Sequence, residues 1–136
     1  MPVGLFGKAT SIERKIKKLL NKLSKEYHFR YRVNHSIKGG YNVDFMIPSL
    51  DLVIECQGDY YHAWSGIYKE KNQLNEMQIK NLDRDKKKQP WLELHNLMIF
   101  WEHDINKRDF GKRFSKLFKE AEERINNGER FKYFGD

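Results

Sequence analysis

Asp44, in Tyr41-Asn42-Val43-Asp44-Phe45, and Glu55, in Leu52-Val53-Ile54-Glu55-Cys56-Gln57-Gly58, are carboxylates set into two apolar segments that read as neighbouring strands. An acid ending one strand and a Glu-x-Gln on the next place two oxygens and one polar head around a single hard cation. Mg²⁺ takes oxygen ligands, usually one or two carboxylates completed by waters and substrate phosphate, so the pair suits metal-assisted phosphodiester chemistry. Both acids sit where an apolar residue is the cheaper choice. Asp44 lies among Val43, Phe45 and Ile47, and burying an ionised carboxylate is costly unless something compensates it. Glu55 interrupts Leu52-Val53-Ile54, which reads as a strand covered on both faces. Side chains two apart on a strand share a face, so Glu55 and Gln57 point one way and Cys56 the other. Either acid alone also reads as a strand-end residue paired with one of the many lysines; the two together argue for a site.

Length and composition bound what can surround such a site. At 136 residues the chain makes one domain with a real core. A hydrophobic content of 39% with 14% aromatics belongs to a folded globule rather than a disordered chain. Lysine and arginine outnumber the acids by 26 to 19, a net charge of +7, which points to a polyanionic partner. Nucleic acid fits better than a membrane, since no segment approaches the roughly 18 apolar residues of a membrane-spanning helix. One cysteine, Cys56, cannot form an internal disulfide, and the N-terminus lacks the long apolar run of a signal peptide, so an intracellular, cytoplasmic setting is expected. Cys56 reads as a small buried hydrophobe rather than a nucleophile. A lone cysteine and scattered histidines make no zinc ligand set.

The elements that must position the two acids are legible in outline. Thr10-Ser11-Ile12-Glu13 opens a helix as a capping box, and Ile12, Ile16, Leu19, Leu20 and Leu23 continue it as an apolar stripe to about Glu26. Residues 30–37 alternate as a strand, and Lys38-Gly39-Gly40 turns the chain into the Asp44 strand. Pro48-Ser49-Leu50 and Asp51 lead into the Glu55 strand. Residues 58–73 form a long loop carrying Tyr60, Tyr61, Trp64 and Tyr68, and loops of that length are often functional. A helix follows over about Leu74 to Lys88, with a kink or restart expected at Pro90. Leu97 to Trp101 is a short strand ending in Glu102. A last helix, about 107–127, carries Phe110, Phe114, Leu117, Phe118, Ala121 and Ile125 on one face and stops at Gly128. The order α-β-β-β-α-β-α makes an α/β fold, helices around a small mixed sheet.

With Asp44 and Glu55-x-Gln57 on the second and third strands, this order resembles the PD-(D/E)xK, restriction-endonuclease-like core. More narrowly, Val43-Asp44-Phe45, Val53 to His62, Asn81-Leu82-Asp83-Arg84-Asp85 and Ile99-Phe100-Trp101-Glu102 resemble the very-short-patch-repair (Vsr-like) endonucleases and the related homing nucleases with a Glu, Asp, His, Asp site. The resemblance covers about residues 10–105. It implies a metal-dependent DNA endonuclease of nicking or homing type, with Mg²⁺ as cofactor and Mn²⁺ as substitute, in a bacterial or phage-type setting. It places the acidic helix residue on Glu13, the strand aspartate on Asp44, the histidine on His62 and the Arg-Asp aspartate on Asp85. The lysine of the broader fold is Gln57 here, which carries no positive charge, and the cysteines and histidines of the zinc site in mismatch-directed members are absent.

Each assignment has a plainer competitor. Glu13 is also the third residue of a capping box. His62 suits a general base beside a metal-bound water, yet loop histidines are usually solvated; His28, His35, His95 and His103 are read that way, His35 least securely because its strand precedes Asp44. Asp85 sits in a charged run, Asp83-Arg84-Asp85-Lys86-Lys87-Lys88, that reads equally as a solvated face; by the resemblance it orients His62. Lys86, Lys87 and Lys88 read as phosphate contacts. Tyr60, Tyr61 and Trp64 read as rings that stack on bases or wedge into a duplex, or as cover for the core. Trp91, Phe100 and Trp101 are assigned to the core. The expected metal ligands are Asp44, Glu55 and the Cys56 carbonyl. A junction- or flap-specific nuclease, and a catalytically silent DNA-binding module favoured by Gln57, compete with the nicking or homing reading. RNA as substrate stays open, and stringent specificity in so small a domain calls for a homodimer or a partner.

Overall fold

Apolar residues at helical spacing on two segments, and in short runs on four others, leave few ways to bury them except as helices against a sheet. The structure, a computed structural model, describes residues 10–136; residues 1–9, part of the domain expected from sequence, lie outside it. The elements run α1 (Ser11–Tyr27), β1 (Arg32–Ile37), β2 (Tyr41–Ile47), a 3₁₀ turn (Pro48–Leu50), β3 (Leu52–Gln57), a second 3₁₀ turn (Lys71–Gln73), α2 (Glu76–Leu92), β4 (Asn96–Trp101), α3 (Glu102–Ile105), α4 (Phe110–Asn126) and β5 (Lys132–Phe134). The sheet is mixed, in the order β1-β2-β3-β4-β5. β1, β2 and β3 form an antiparallel meander, and β4 and β5 join parallel. Each parallel strand needs a crossover of a dozen residues or more, and α2 and α4 supply the two.

One face of the sheet carries the larger cluster, in which Ile12, Ile16, Leu20 and Leu23 of α1 and Phe110, Phe114 and Phe118 of α4 meet Phe45, Ile54, Cys56, Met98 and Phe100. On the other face Val43, Met46, Val53, Leu97 and Ile99 pack with Leu92, and half-buried Trp91 lies against them. Helices thus cover both faces. Cys56 is buried on the α1–α4 face, as its alternation with Glu55 requires. Of the three aromatics assigned to the core, Phe100 is fully buried, whereas Trp91 and Trp101 sit at its margin. Gly39, at φ +98°, turns β1 into β2, and a Cβ there would lie 2.5 Å from the Trp91 ring; the turn needs glycine for both reasons.

Two expectations need correction. α2 does not restart at Pro90 but runs through it to Leu92. The proline lies in the last turn, where its missing N–H costs a single backbone bond, and Trp91 and Leu92 behind it are anchored in the second cluster. The chain also does not end on a helix: Gly128, at φ +86°, stops α4, and Lys132–Phe134 adds a fifth strand beside β4. Buried Asn96 secures that return, donating to the Leu50 carbonyl and accepting from the Phe131 N–H, both at 2.8 Å.

Phe118 is fully buried and packs on Phe29, ring centroids 5.0 Å apart, and on Tyr27 at 5.6 Å. Its truncation leaves a cavity beneath both helices. Phe118→Ala is expected to lower the unfolding free energy by about 3–5 kcal/mol, and Leu94→Ala, at a side chain 54% exposed, by no more than about 0.5; urea unfolding of the two variants measures the contrast.

Candidate active site

Antiparallel pairing between β2 and β3 is regular over Ile47↔Leu52, Met46↔Val53 and Phe45↔Ile54, and stops before Asp44 and Glu55. There the backbone bonds pass to side chains. The Asp44 N–H donates to Glu55 Oε1 at 2.8 Å, and the Cys56 N–H donates to Asp44 Oδ2 at 2.7 Å. The exchange holds both carboxylates in the gap between the strands. On the β1 side, the pairs Val33↔Phe45 and His35↔Val43 flank Asn34 and Asp44 without joining them, and Asn34 is left-handed at φ +50°, a conformation asparagine tolerates better than most residues.

A cleft of about 310 Å³ opens over this gap. Glu13, Asp44, Glu55 and Cys56 line it from α1 and the sheet, and His62, Asp85 and Lys88 from the loop and α2. Glu13 arrives from the first turn of α1, where the Thr10 hydroxyl accepts its backbone N–H. Its side chain is buried, and among the described residues Oε1 has no hydrogen-bond partner. Burial raises the Glu13 carboxyl above its ordinary value, and the negative field of Glu55 adds to the rise, against hydrogen bonds from Thr10. Asp44 is pushed well above the carboxylate range, first by burial and then by Glu55, while the Cys56 N–H opposes the shift.

Lys88 is the residue whose role the sequence did not reveal. Its side chain is only 14% exposed, and Nζ donates to Glu55 Oε2 at 2.7 Å. A half-buried ammonium beside a buried carboxylate thus stands where Gln57 left the sheet without positive charge. Gln57 is not among the residues lining the cleft. Lys86 and Lys87 separate from Lys88, both exposed, with Lys87 paired to Asp83 at 2.9 Å.

His62 is placed through its backbone, its ring and the chain before it. Its N–H closes a turn on the Gly58 carbonyl at 3.0 Å, and its Nδ1 lies 2.8 Å from Asp85 Oδ2. The chain just before it is strapped to α2, because Gln78 Nε2 donates to the Tyr60 carbonyl at 2.6 Å and Asn81 Nδ2 to the Tyr61 carbonyl at 2.8 Å. Asn34, Asn42, Asn81 and Arg84 also line the cleft. No spacing singled them out, since three belong to strand or helix faces that read as solvated and Asn34 projects through an unusual backbone angle.

The loop aromatics are not brought to the cleft. Tyr60 is 46% exposed and packs against Tyr61 and Tyr68, and Trp64 lies on the His103 ring at 3.9 Å. His95 and His103 are not simply solvated: their Nδ1 atoms pair with Asp51 at 2.6 Å and Asp59 at 2.9 Å, which makes them ties between elements. His28 is the left-handed C-cap of α1, and His35 stays in β1, outside the cleft lining.

Three carboxylates facing one lysine leave excess negative charge, all of its donors oxygen, with one buried oxygen lacking a partner; that donor set fits a hard divalent cation. Among the described residues no group of three or more His, Cys, Asp or Glu side chains is placed to hold a metal ion. Mg²⁺ asks for less, because it keeps several waters and is usually held by one or two carboxylates. No family model and no curated protein matches the chain. No helix of the described residues is long and apolar enough to cross a membrane.

A carboxyl whose pKa is raised by folding stabilises the fold only while protonated, so that stability is present below 3.8 and is lost as pH climbs through the raised value. Asp44→Asn removes the repulsion. The variant is expected to gain stability over the parent progressively as pH rises above 3.8, in urea unfolding across a pH series. Mg²⁺ should restore the parent alone, by about 2.7 kcal/mol at a hundredfold excess over its Kd.

Proposed function

We propose that the chain is a divalent-metal-dependent endonuclease with a restriction-endonuclease-like core, cutting DNA phosphodiester bonds to leave a 5′-phosphate and a 3′-hydroxyl. The observation that carries this reading is the Asp44–Glu55 exchange between β2 and β3, with Lys88 on the far oxygen of Glu55. The order α1-β1-β2-β3-α2-β4 and the mixed sheet support the fold assignment.

Asp44 and Glu55 would hold the Mg²⁺ ion, with the Cys56 carbonyl and Glu13 beside them. When bound, Mg²⁺ supplies Lewis-acid polarisation of the scissile phosphate and lowers the pKa of a water ligand. The chain's own residues then divide the remaining tasks. Lys88 offsets the charge of Glu55 and faces the developing charge on the phosphate, the task that Gln57 cannot perform. Asp85 holds the proton of His62 on Nδ1, which makes Nε2 the basic atom. His62 takes a proton from the attacking water or returns one to the leaving 3′ oxygen. Gln57 was the main support for a silent binding module, and Lys88 paired to Glu55 removes much of its force.

Supercoiled plasmid and a branched DNA, incubated with Mg²⁺, Mn²⁺ or EDTA, test the proposal. Metal-dependent nicking is expected, reduced at least about 100-fold in Asp44→Ala, Glu55→Ala and Lys88→Met, and by about 10²–10⁴ in His62→Ala. Gln57→Ala should stay within a few-fold of the parent. Tight binding without cutting in any metal would leave a DNA-binding module, and preference for the branched substrate would make the enzyme structure-specific.

A further inference from the structure

Nine lysines and arginines against two acids fall within residues 10–43, while residues 44–136 carry sixteen against seventeen. The whole positive balance of the described chain therefore resides in α1, β1 and their turns. Of the sixteen cations beyond residue 43, Lys87, Lys88, Lys107, Arg113 and Arg124 are in ion pairs, while Lys112, Lys116 and Lys119 of α4 are exposed and, among the described residues, in none. What sets the cations of residues 10–43 apart is therefore their density and their place beside the cleft. Among the described residues, Lys17, Lys18, Lys25, Arg30 and Arg32 are in none, and all five are exposed.

Their placement relates them to the cleft. Glu13 points into it from α1, and Lys17, four residues on, lies on the same side of the helix one turn away. The Tyr31 hydroxyl donates to Asn21, which ties this side of α1 to the start of β1. β1 is an edge strand, and Arg32, Val33 and Asn34 are exposed in succession. Successive residues face opposite sides of a sheet, so both faces of β1 are uncovered there. Val33 and Asn34 line the cleft, and Arg32 precedes them directly.

We infer that the uncovered end of β1 and the adjoining side of α1 form the track along which a nucleic-acid backbone enters the cleft, with Lys17, Lys18, Lys25, Arg30 and Arg32 as its phosphate contacts. This rests on the endonuclease reading and moves the substrate contacts away from Lys86 and Lys87. Unpaired exposed cations beside a cleft concentrate a polyanion there, and each phosphate they neutralise releases counterions. The contacts carry no base recognition, so affinity through them is independent of sequence.

Anisotropy of a labelled DNA duplex in EDTA separates binding from cutting. The triple variant K17E/K18E/R32E is expected to bind at least about 30-fold more weakly in low salt, with a log–log salt slope shallower by about 3. K112E/K116E/K119E on α4 makes the same change in net charge and should stay within about threefold, as should K86E/K87E. Circular dichroism checks that each variant is folded. Equal losses in the α4 variant, or parental binding by the triple variant, overturns the track; if the parent nicks plasmid meanwhile, the endonuclease reading stands without it. Binding that depends on the patch, in a protein that cuts nothing in any metal, keeps the track and removes the enzyme. Patch-dependent capture by phosphatidylglycerol vesicles that DNA does not displace would replace the track with a membrane-facing surface.

Discussion

Two backbone N–H groups at the centre of the sheet donate to carboxylates instead of to the opposite strand, and the rest of the site depends on that exchange. An antiparallel ladder continued one step further would pair Asp44 with Glu55 through their backbones. Taking the Asp44 and Cys56 N–H groups onto Glu55 and Asp44 side chains keeps those donors satisfied. It also fixes the carboxylates. Neither acid can swing into solvent without leaving a central backbone donor unmade, which costs about 1–3 kcal/mol. The site is therefore oriented by the sheet itself, ahead of any ligand.

α2 is built to serve that opening. Gln78, Asn81, Asp85 and Lys88 follow one another at intervals of three, four and three residues, so they share one face of the helix. Each reaches a different part of the site: the Tyr60 carbonyl, the Tyr61 carbonyl, His62 and Glu55. The helix meets the site through a polar stripe, while Trp91 and Leu92 secure its end in the apolar cluster. A helix docked by directional bonds holds its partners to a narrower geometry than one docked by side-chain packing alone. The Asn75–Gln78 capping box reinforces the arrangement, since Gln78 both closes the helix start and straps the loop.

This division explains what the sequence disclosed. α1, β2, β3, β4 and α4 bury apolar faces, and burial writes itself into periodicity; Ile16, Leu20, Ile54 and Phe114 were legible for that reason. Asp44 and Glu55 were legible because they break apolar runs. Lys88 was not, because a lysine turned inward is written the same way as its exposed neighbours Lys86 and Lys87, and only the phase of α2 against the sheet tells them apart. The same holds for Asn81 and for Asp85, whose assignment came from resemblance rather than from its charged surroundings. β5 was missed on other grounds: three residues past a helix stop carry too little pattern, and its pairing is set by Asn96, thirty-five residues away from Phe131. Pro90 ends a helix when it falls in the interior, but here it lies in a last turn that the core retains.

The distribution of charge closes the argument. A cluster of buried Glu13 and Glu55 with half-buried Asp44 and Lys88 is not what stability alone selects, because replacing buried ions with apolar groups of similar volume is often neutral or stabilising. Titration toward the neutral form relieves part of that tension, and burial drives both Glu13 and Asp44 in that direction. Protonated carboxyls, however, make poor anchors, so under the proposed function a cation would bind most strongly only by displacing those protons. Proton release and cation uptake would then be one linked event at Asp44, held in place by the Cys56 N–H. In the proposed reading, the exposed cations of α1 and β1 beside that negative centre meet an opposing need: a polyanion would have to approach three carboxylates, and a positive rim outside a negative floor would attract it while leaving the floor for the metal.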